Sequence, residues 1–192
     1  IMLVAGQSFV FTLDNGEILN VKATGAVVQA LVQNRGILVA DGGTVLLTAR
    51  GKNTLLNTVV NNEGQIQARS VKNVGGVIVF DGEGGDVVNS GSLDASGGAG
   101  QKGGTVVMSG DRVGVMAASN INASGDTGGG RVIIGGDSLG KATDVMNVTM
   151  ASQTVVQAGA NIDISSASGN GGFVETSGKV VAIDGNINGS AK

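Results

Sequence analysis

The sequence predicts an all-β fold, a right-handed single-stranded parallel β-helix with three-strand coils of about 28 residues, on three observations. Glycine is abundant while proline is absent, the apolar residues are small or branched, and a two-part motif recurs at near-constant spacing.

The 192 residues include 35 Gly and no Pro, Cys, Trp, Tyr or His, yet 41% are hydrophobic. Glycine at this level otherwise accompanies disorder or a collagen repeat. The apolar content excludes the first, and the lack of proline and of an every-third glycine excludes the second. Val, Ile, Leu and Ala must therefore build the core. Branched side chains suit pleated strands, and glycine suits corners that need positive φ. The formal charge is −3, and the basic residues form neither a stripe nor an interleaved set with aromatics, so no nucleic-acid partner is expected. No run is long enough to span a membrane as a helix. The apolar start Ile1–Ala5 lacks the charged flank and cleavage site of a signal peptide, which reads as a segment from within a mature protein. Without Cys there are no disulfides or thiolate metal sites.

The repeat carries the architecture. The octad Gly-Gly-x-[Val/Ile]-x-x-x-[Gly/Ala] begins at Gly42, Gly75, Gly103, Gly129 and Gly171. Before each copy stands an aliphatic anchor followed two residues later by a small or aliphatic residue: Leu38/Ala40, Ile66/Ala68, Leu93/Ala95, Ile121/Ala123 and Ile162/Ile164, with a sixth at Ile187/Gly189. Asn and Gly often lead in, as in Asn34-Arg35-Gly36, Asn62-Glu63-Gly64 and Asn89-Ser90-Gly91. A branched pair forms a third element, at Val59-Val60, Val87-Val88, Val115-Met116, Val155-Val156 and Val180-Val181. Steps between anchors are 28, 27, 28, 41 and 25 residues. The long step marks one insertion, placed at 137–154.

A coil with one inward row per strand cannot bury that row alone. Stacking coils about 4.8 Å apart pairs each backbone group with the coil above and below. Equivalent positions then form inward ladders: Val45, Ile78, Val106, Val132, Val174; Leu47, Phe80, Met108, Ile134, Thr176; and the six anchors. Ala40, Ala68, Ala95 and Ala123 are expected at a narrow corner, where a larger side chain would overpack. The outward column Leu46, Val79, Val107 and Ile133 is too apolar for a bare face and predicts a cover: the N-terminal segment, a partner or, as favoured, the insertion. Roughly six to seven coils follow from the period, and residues 1–192 read as a single β-helix segment cut from a much longer protein.

The stretch Ala30–Ala68 resembles the β-helical part of filamentous-haemagglutinin-like and high-molecular-weight adhesin exoproteins of two-partner secretion systems. The segments Gly6–Val21 and Gly169–Gly185 are similar to parts of the same proteins. The resemblance implies a right-handed parallel β-helix, export through a dedicated outer-membrane transporter, and a secreted or cell-surface location in a Gram-negative bacterium. The family's secretion region carries Asn-Pro-Asn motifs, and this chain has no proline. Recognition of the transporter is therefore assigned to a region of the parent protein outside this chain.

The resulting expectation is a structural or adhesive rod segment contributing to host-cell or matrix attachment, with a host receptor, a glycan or a matrix polysaccharide as partner, and a monomeric state. The alternative is a glycan-binding module using the insertion face, since solenoid insertions map to loops and loops carry recognition. Within the insertion, Val145–Met150 could form a small hairpin. A polysaccharide-degrading enzyme is disfavoured. Such chemistry needs converging carboxylates and stacking aromatics, though Asp81 and Asp111 fall near equivalent positions on adjacent coils. No cofactor is expected. Asp81, Glu83 and Asp86 form a weak Ca²⁺ candidate, lacking a recurring loop pattern. Three sequons make Asn147, Asn122 and Asn188 candidate glycosylation sites. The resemblance adds weight to these, because some high-molecular-weight adhesins are glycosylated at such sequons.

Overall fold

The computed structural model describes residues 1–6, 8–14, 17–24, 30–50 and 58–192, with side chains described for 1–6, 30–50 and 60–192. The chain folds as a right-handed parallel β-helix whose strands form three six-stranded parallel sheets. The first sheet contains Met2–Ala5, Thr44–Ala49, Val77–Asp81, Thr105–Ser109, Arg131–Ile134 and Phe173–Thr176. The second contains Val32–Asn34, Thr58–Asn62, Asp86–Asn89, Arg112–Val115, Gln153–Val156 and Val180–Ile183. The third contains Ile37–Val39, Gln65–Gln67, Ser92–Asp94, Asn120–Asn122, Asn161–Asp163 and Asn186–Asn188. Each coil takes one strand from each sheet, giving six coils.

Pairing follows the repeat rung by rung. Val45 faces Ile78, Ile78 faces Val106, Val106 faces Val132 and Val132 faces Val174. The anchors stack in order from Leu38 to Ile187. Because strand residues alternate between faces, these positions point inward together, and Val45, Ile78, Leu93, Val106 and Ile121 are fully buried. Ala68, Ala95 and Ala123 are also fully buried at the corner between the third and first sheets. There the second glycine of the octads that begin at Gly42, Gly103, Gly129 and Gly171 closes the turn. Gly43 N–H donates to the Ala40 carbonyl (2.8 Å), Gly104 to Ala95 (2.7 Å) and Gly130 to Ala123 (2.7 Å).

The second sheet differs from the expected ladder. Its first inward row is Val32, Val60, Val87, Val113, Thr154 and Val181. Val115 and Val156 lie two residues later, in a row with Asn34, Asn62, Asn89 and Ile183. The branched pairs therefore belong to two ladders. A strand with two inward positions allows valine spacing to slip by two without changing face, and asparagine fills the second position in the first three coils.

Those asparagines form an internal hydrogen-bonded spine. Asn34 Nδ2 donates to Asn62 Oδ1 (2.8 Å), Asn62 Nδ2 to Asn89 Oδ1 (2.8 Å), and Asn89 Nδ2 to Ser119 Oγ (3.1 Å). Each amide also donates to the carbonyl two residues on, at Gly36, Gly64 and Gly91. Ser119 Oγ closes the series on the Asn89 carbonyl (2.5 Å), where Val115 ends the asparagine row. Buried amides are tolerated because every strong donor has a partner. Asn62→Ala leaves the Asn34 donor and the Asn89 acceptor unmatched, and is expected to cost about 2 kcal/mol in urea unfolding.

The outward row of the third sheet is polar from the second coil onward. Asp94, Asn122, Asp163 and Asn188 stack directly. Each accepts the amide N–H of a serine two residues ahead: Ser96 (3.0 Å), Ser124 (3.0 Å), Ser165 (2.9 Å) and Ser190 (3.2 Å). Acid and amide alternate, which keeps carboxylates from facing one another across a single rung of about 4.8 Å. The first sheet leads into an antiparallel hairpin, Ser8–Asp14 with Glu17–Thr24, which holds most of the Gly6–Val21 resemblance. Its side chains lie outside the described residues.

Candidate functional site

Among the described residues, two long excursions leave the coil at one corner, between the first and second sheets. The hairpin leaves in the first coil, and residues 135–152 leave in the fifth. Gln153 and Thr154, included in the insertion on sequence, belong to the second-sheet strand. In the third and fourth coils the same corner is a tight turn.

The fifth-coil excursion lies flat along the first sheet as a strap. Val145 and Met146 N–H both donate to the Ala142 carbonyl (2.8 and 2.9 Å), making a turn. No strand forms over Val145–Met150, so the expected hairpin is absent. The apolar side chains of this stretch pack on the helix instead of pairing with one another. Ala142, Val145, Met146 and Val148 cluster with Leu46, Val79, Val107 and Ile133. Val107 and Ile133 are fully buried and Val79 is 5% exposed, so the insertion is the cover that the apolar column required.

Polar ties fix the strap at both edges. Asp137 accepts the N–H groups of Lys141 (2.6 Å) and Ala142 (2.8 Å). Arg131 grips Asp144 with two parallel 2.9 Å bonds. Glu175 occupies the position after Ile133 in the outward column and accepts Ser138 N–H (2.5 Å), Leu139 N–H (3.4 Å) and Ser177 Oγ–H (2.6 Å). The Arg131 hydrogen bonds hold the Asp144 carboxyl below its ordinary 3.8. Burial pushes Glu175 up, but hydrogen bonds from Ser177 and the strap amides outweigh it and leave the group below its ordinary 4.5. A depressed folded pKa contributes stability above the unfolded value and loses it as pH falls through the folded one. Strap attachment should therefore be complete above pH 4.5 and weaken below it. Dye binding to exposed apolar surface should rise on acidification. Glu175→Gln, which cannot titrate, should flatten part of that response.

Where the strap returns to the second sheet it overhangs the tight corners of the third and fourth coils, leaving an open groove of about 610 Å³. Met146, Asn147, Thr149 and Met150 line it from the strap. Asp81, Glu83 and Gly84 line it from the third coil, Ser109, Gly110 and Asp111 from the fourth, and Arg50 from the second. Glu83 has a positive φ of 42° and donates its N–H to Asp81 Oδ1 (3.0 Å), a tight turn that brings both carboxylates to the groove. Arg50 Nη1 lies 3.3 Å from Glu83 Oε2. The Asp111 carboxylate accepts no hydrogen bond among the described residues, and its charge adds to the field on the Arg112 guanidinium. Asp81 and Asp111 both line the groove but are not equivalent positions of adjacent coils, since Asp81 pairs with Ser109 and Asp111 N–H donates to the Gly85 carbonyl. The contributions of Arg50, Ser109 and the two methionines were not legible in the sequence, since nothing in the period tells where a strap lands.

Asp81, Glu83 and Asp86 are not gathered around one point. Glu83 pairs with Arg50, while Asp86 is engaged on both oxygens by Arg112. Among the described residues no group of three His, Cys, Asp or Glu side chains is placed to hold a metal ion. The sequons also diverge. Asn122 sits half-buried at a strand end with its Oδ1 taken by Ser124, and exposed Asn188 repeats that arrangement while donating to Asp163 Oδ1 (3.3 Å). Asp94 and Asp163 do the same work with a carboxylate, so these two sequons fall on a turn motif of the coil. Asn147 is exposed on the strap.

No family model matches the chain. A heme/hemopexin-binding protein of Haemophilus influenzae is 35% identical over 81 residues, which cover 42% of this chain and 8% of that protein. In structure, the chain is similar to the secretion domain of HMW1 from Haemophilus influenzae, with a TM-score of 0.64 and 21% identity. That match covers 90% of this chain and 51% of the HMW1 chain. At that identity the likeness is one of fold. The chain thus spans about half of the matched structure and a small part of the matched curated protein.

Proposed function

We propose that this chain, which resembles the filamentous-haemagglutinin-like and high-molecular-weight adhesin exoproteins in fold and in sequence, is one rod segment of a large exoprotein exported by two-partner secretion. Its role is to hold adhesive regions of the parent protein away from a Gram-negative surface and to contribute to host-cell or matrix attachment. One observation carries the reading: three parallel ladders run through all six coils, with a single register shift at Asp86/Val87 in the second sheet among the described residues. Six rungs at about 4.8 Å give a segment of roughly 30 Å. Inter-coil ion pairs add to the stack on its outside, Arg35 with Glu63 and Asp41 with Arg69. No catalytic role is proposed, and the segment itself is taken as monomeric. The outer-membrane transporter is a partner of the parent protein through a region elsewhere.

The groove under the strap supports a second element, direct attachment at the insertion face. Whether a host or matrix glycan is held there is tested by a glycan array of this chain beside one with the strap replaced. Binding by the first alone assigns glycan recognition to the strap. Asn147 is the proposed sugar acceptor of the three sequons, because its side chain is exposed and outside the coil's turn motif. Intact mass of protein from the native host should show hexose increments that Asn147→Gln removes. The rod reading is tested on intact cells making the parent protein. An antibody to this segment should label without permeabilisation, and labelling only after permeabilisation overturns the reading.

A further inference from the structure

We propose that Met146 and Met150 make the strap an oxidant-sensitive cover: conversion of their thioethers to sulfoxides releases residues 145–150 from the outer face of the first sheet and bares the apolar column beneath. The modification sites are the two sulfur atoms, and the reagent class is a peroxide.

The way the strap is held is the first argument. Its outgoing half is tied by polar contacts: Asp137 to the Lys141 and Ala142 amides, Glu175 to the Ser138 and Leu139 amides, and Asp144 to Arg131. The returning half lacks such ties. Among the described residues, 147–150 make no hydrogen bond through backbone or side chain. Val145, Met146 and Val148 are held by packing, in the cluster that contains Leu46, Val79, Val107 and Ile133. Met150 fastens the end of the strap to its beginning, since its Sδ and Cε lie 3.0 and 3.3 Å from the point where Gly136 would carry a Cβ. At the root, Ala151 N–H donates to the Gly135 carbonyl (2.6 Å), which keeps both ends on the coil when the stretch between them lifts. Two of the four side chains that hold the returning half are therefore thioethers.

Their chemistry is the second. Hydrogen peroxide transfers one oxygen atom to a thioether sulfur and leaves as water; the sulfur loses two electrons and the O–O bond takes them up. A sulfoxide is polar, and placed without a donor among aliphatic side chains it disfavours the packed state. Position decides which of the five methionines matters. Met150 is 44% exposed and open to attack first. Met146 is half-buried within the column's cluster, so it follows, and its sulfoxide is the one that loosens the cover. Met108 is fully buried inside the coil and is shielded. Met116 is half-buried with its methyl against Gly114 on the second sheet, and Met2 pairs with Leu46 at the foot of the column; neither belongs to the cover.

The test treats the full chain with hydrogen peroxide and follows each methionine by peptide mass mapping, beside the fluorescence of a dye that binds exposed apolar surface. Met150 is expected to gain oxygen first and Met146 second, with Met108 unmodified. Dye fluorescence should rise about tenfold as the Met146 sulfoxide accumulates, the effect of one unpaired polar group in the cluster. Treatment with the two epimer-specific methionine sulfoxide reductases should return it to its starting level. The double variant Met146→Leu, Met150→Leu keeps volume and apolarity and should abolish the rise, while Met116→Leu and Met2→Leu retain it. A double variant that gains dye signal as wild type does would overturn the proposal. So would full conversion of Met146 and Met150 with no change in dye signal. If the double variant melts below wild type before oxidation, the reductase step in wild type decides. A rise that falls again with reduction of Met146 supports the proposal, and one that persists after both sulfoxides are reduced overturns it.

Discussion

Replacing residues 138–150 with a short Gly-Ser linker is expected to destabilise the chain by about 5 kcal/mol and to make it self-associate. The reason lies under the strap. Val79, Val107 and Ile133 point away from the coil interior and yet are buried, in a cluster with Ala142, Val145, Met146 and Val148. Uncovering three branched side chains forfeits about 1.5–2 kcal/mol each. It also leaves Glu175 without its strap amides and Arg131 without Asp144. Urea midpoints, dye binding and sedimentation of wild type and variant would report the change. An unshifted midpoint with no new dye binding would show that the column does not depend on the strap.

The second large effect is expected at a glycine. Gly104→Ala should cost about 3 kcal/mol or more, or prevent folding, because its new Cβ would overlap the Gly76 carbonyl oxygen. The same clash recurs up the helix: a Cβ on Gly130 would meet the Gly104 carbonyl, and one on Gly172 the Gly130 carbonyl. Backbone cannot retreat there, since Gly104 N–H is committed to the Ala95 carbonyl. Gly98→Ala is the matched control. Its Cβ would meet nothing within 4 Å and its φ is ordinary, so the substitution should be neutral within about 0.5 kcal/mol or slightly stabilising. Thermal melts of the two variants should therefore diverge widely. Near-equal melts would remove the steric basis for the paired glycines.

This contrast also marks what was readable in the residues. The doubled glycines and the aliphatic anchors recur because each coil must satisfy the same contact with the one beneath it, so period alone recovered the first and third sheets in register. The second sheet obeys the same rule with two chemistries, Asn62 and Asn89 below and Val115 and Val156 above. A search for branched residues therefore slid by two. The strap was legible as a break in spacing, and the apolar Leu46, Val79, Val107 and Ile133 announced that something covered them. The groove was less so. It depends on where residues 146–150 come to rest over Asp81 and Asp111, a long-range placement set by Glu175 and Arg131 and not by any local pattern.

The strap also bears on how such a rod answers tension. Hydrogen bonds between coils run along the rod axis, so a pull on the ends loads them directly, and a coil of about 28 residues that peels away releases about 90 Å of contour. Coils held only by these rungs would come off one at a time. A segment that clusters with Val79, Val107 and Ile133 and is hydrogen-bonded to Glu175 spans four successive rungs, and none of the four can leave without shearing it. Under load, this stretch should yield as one block, later and at higher force than its neighbours.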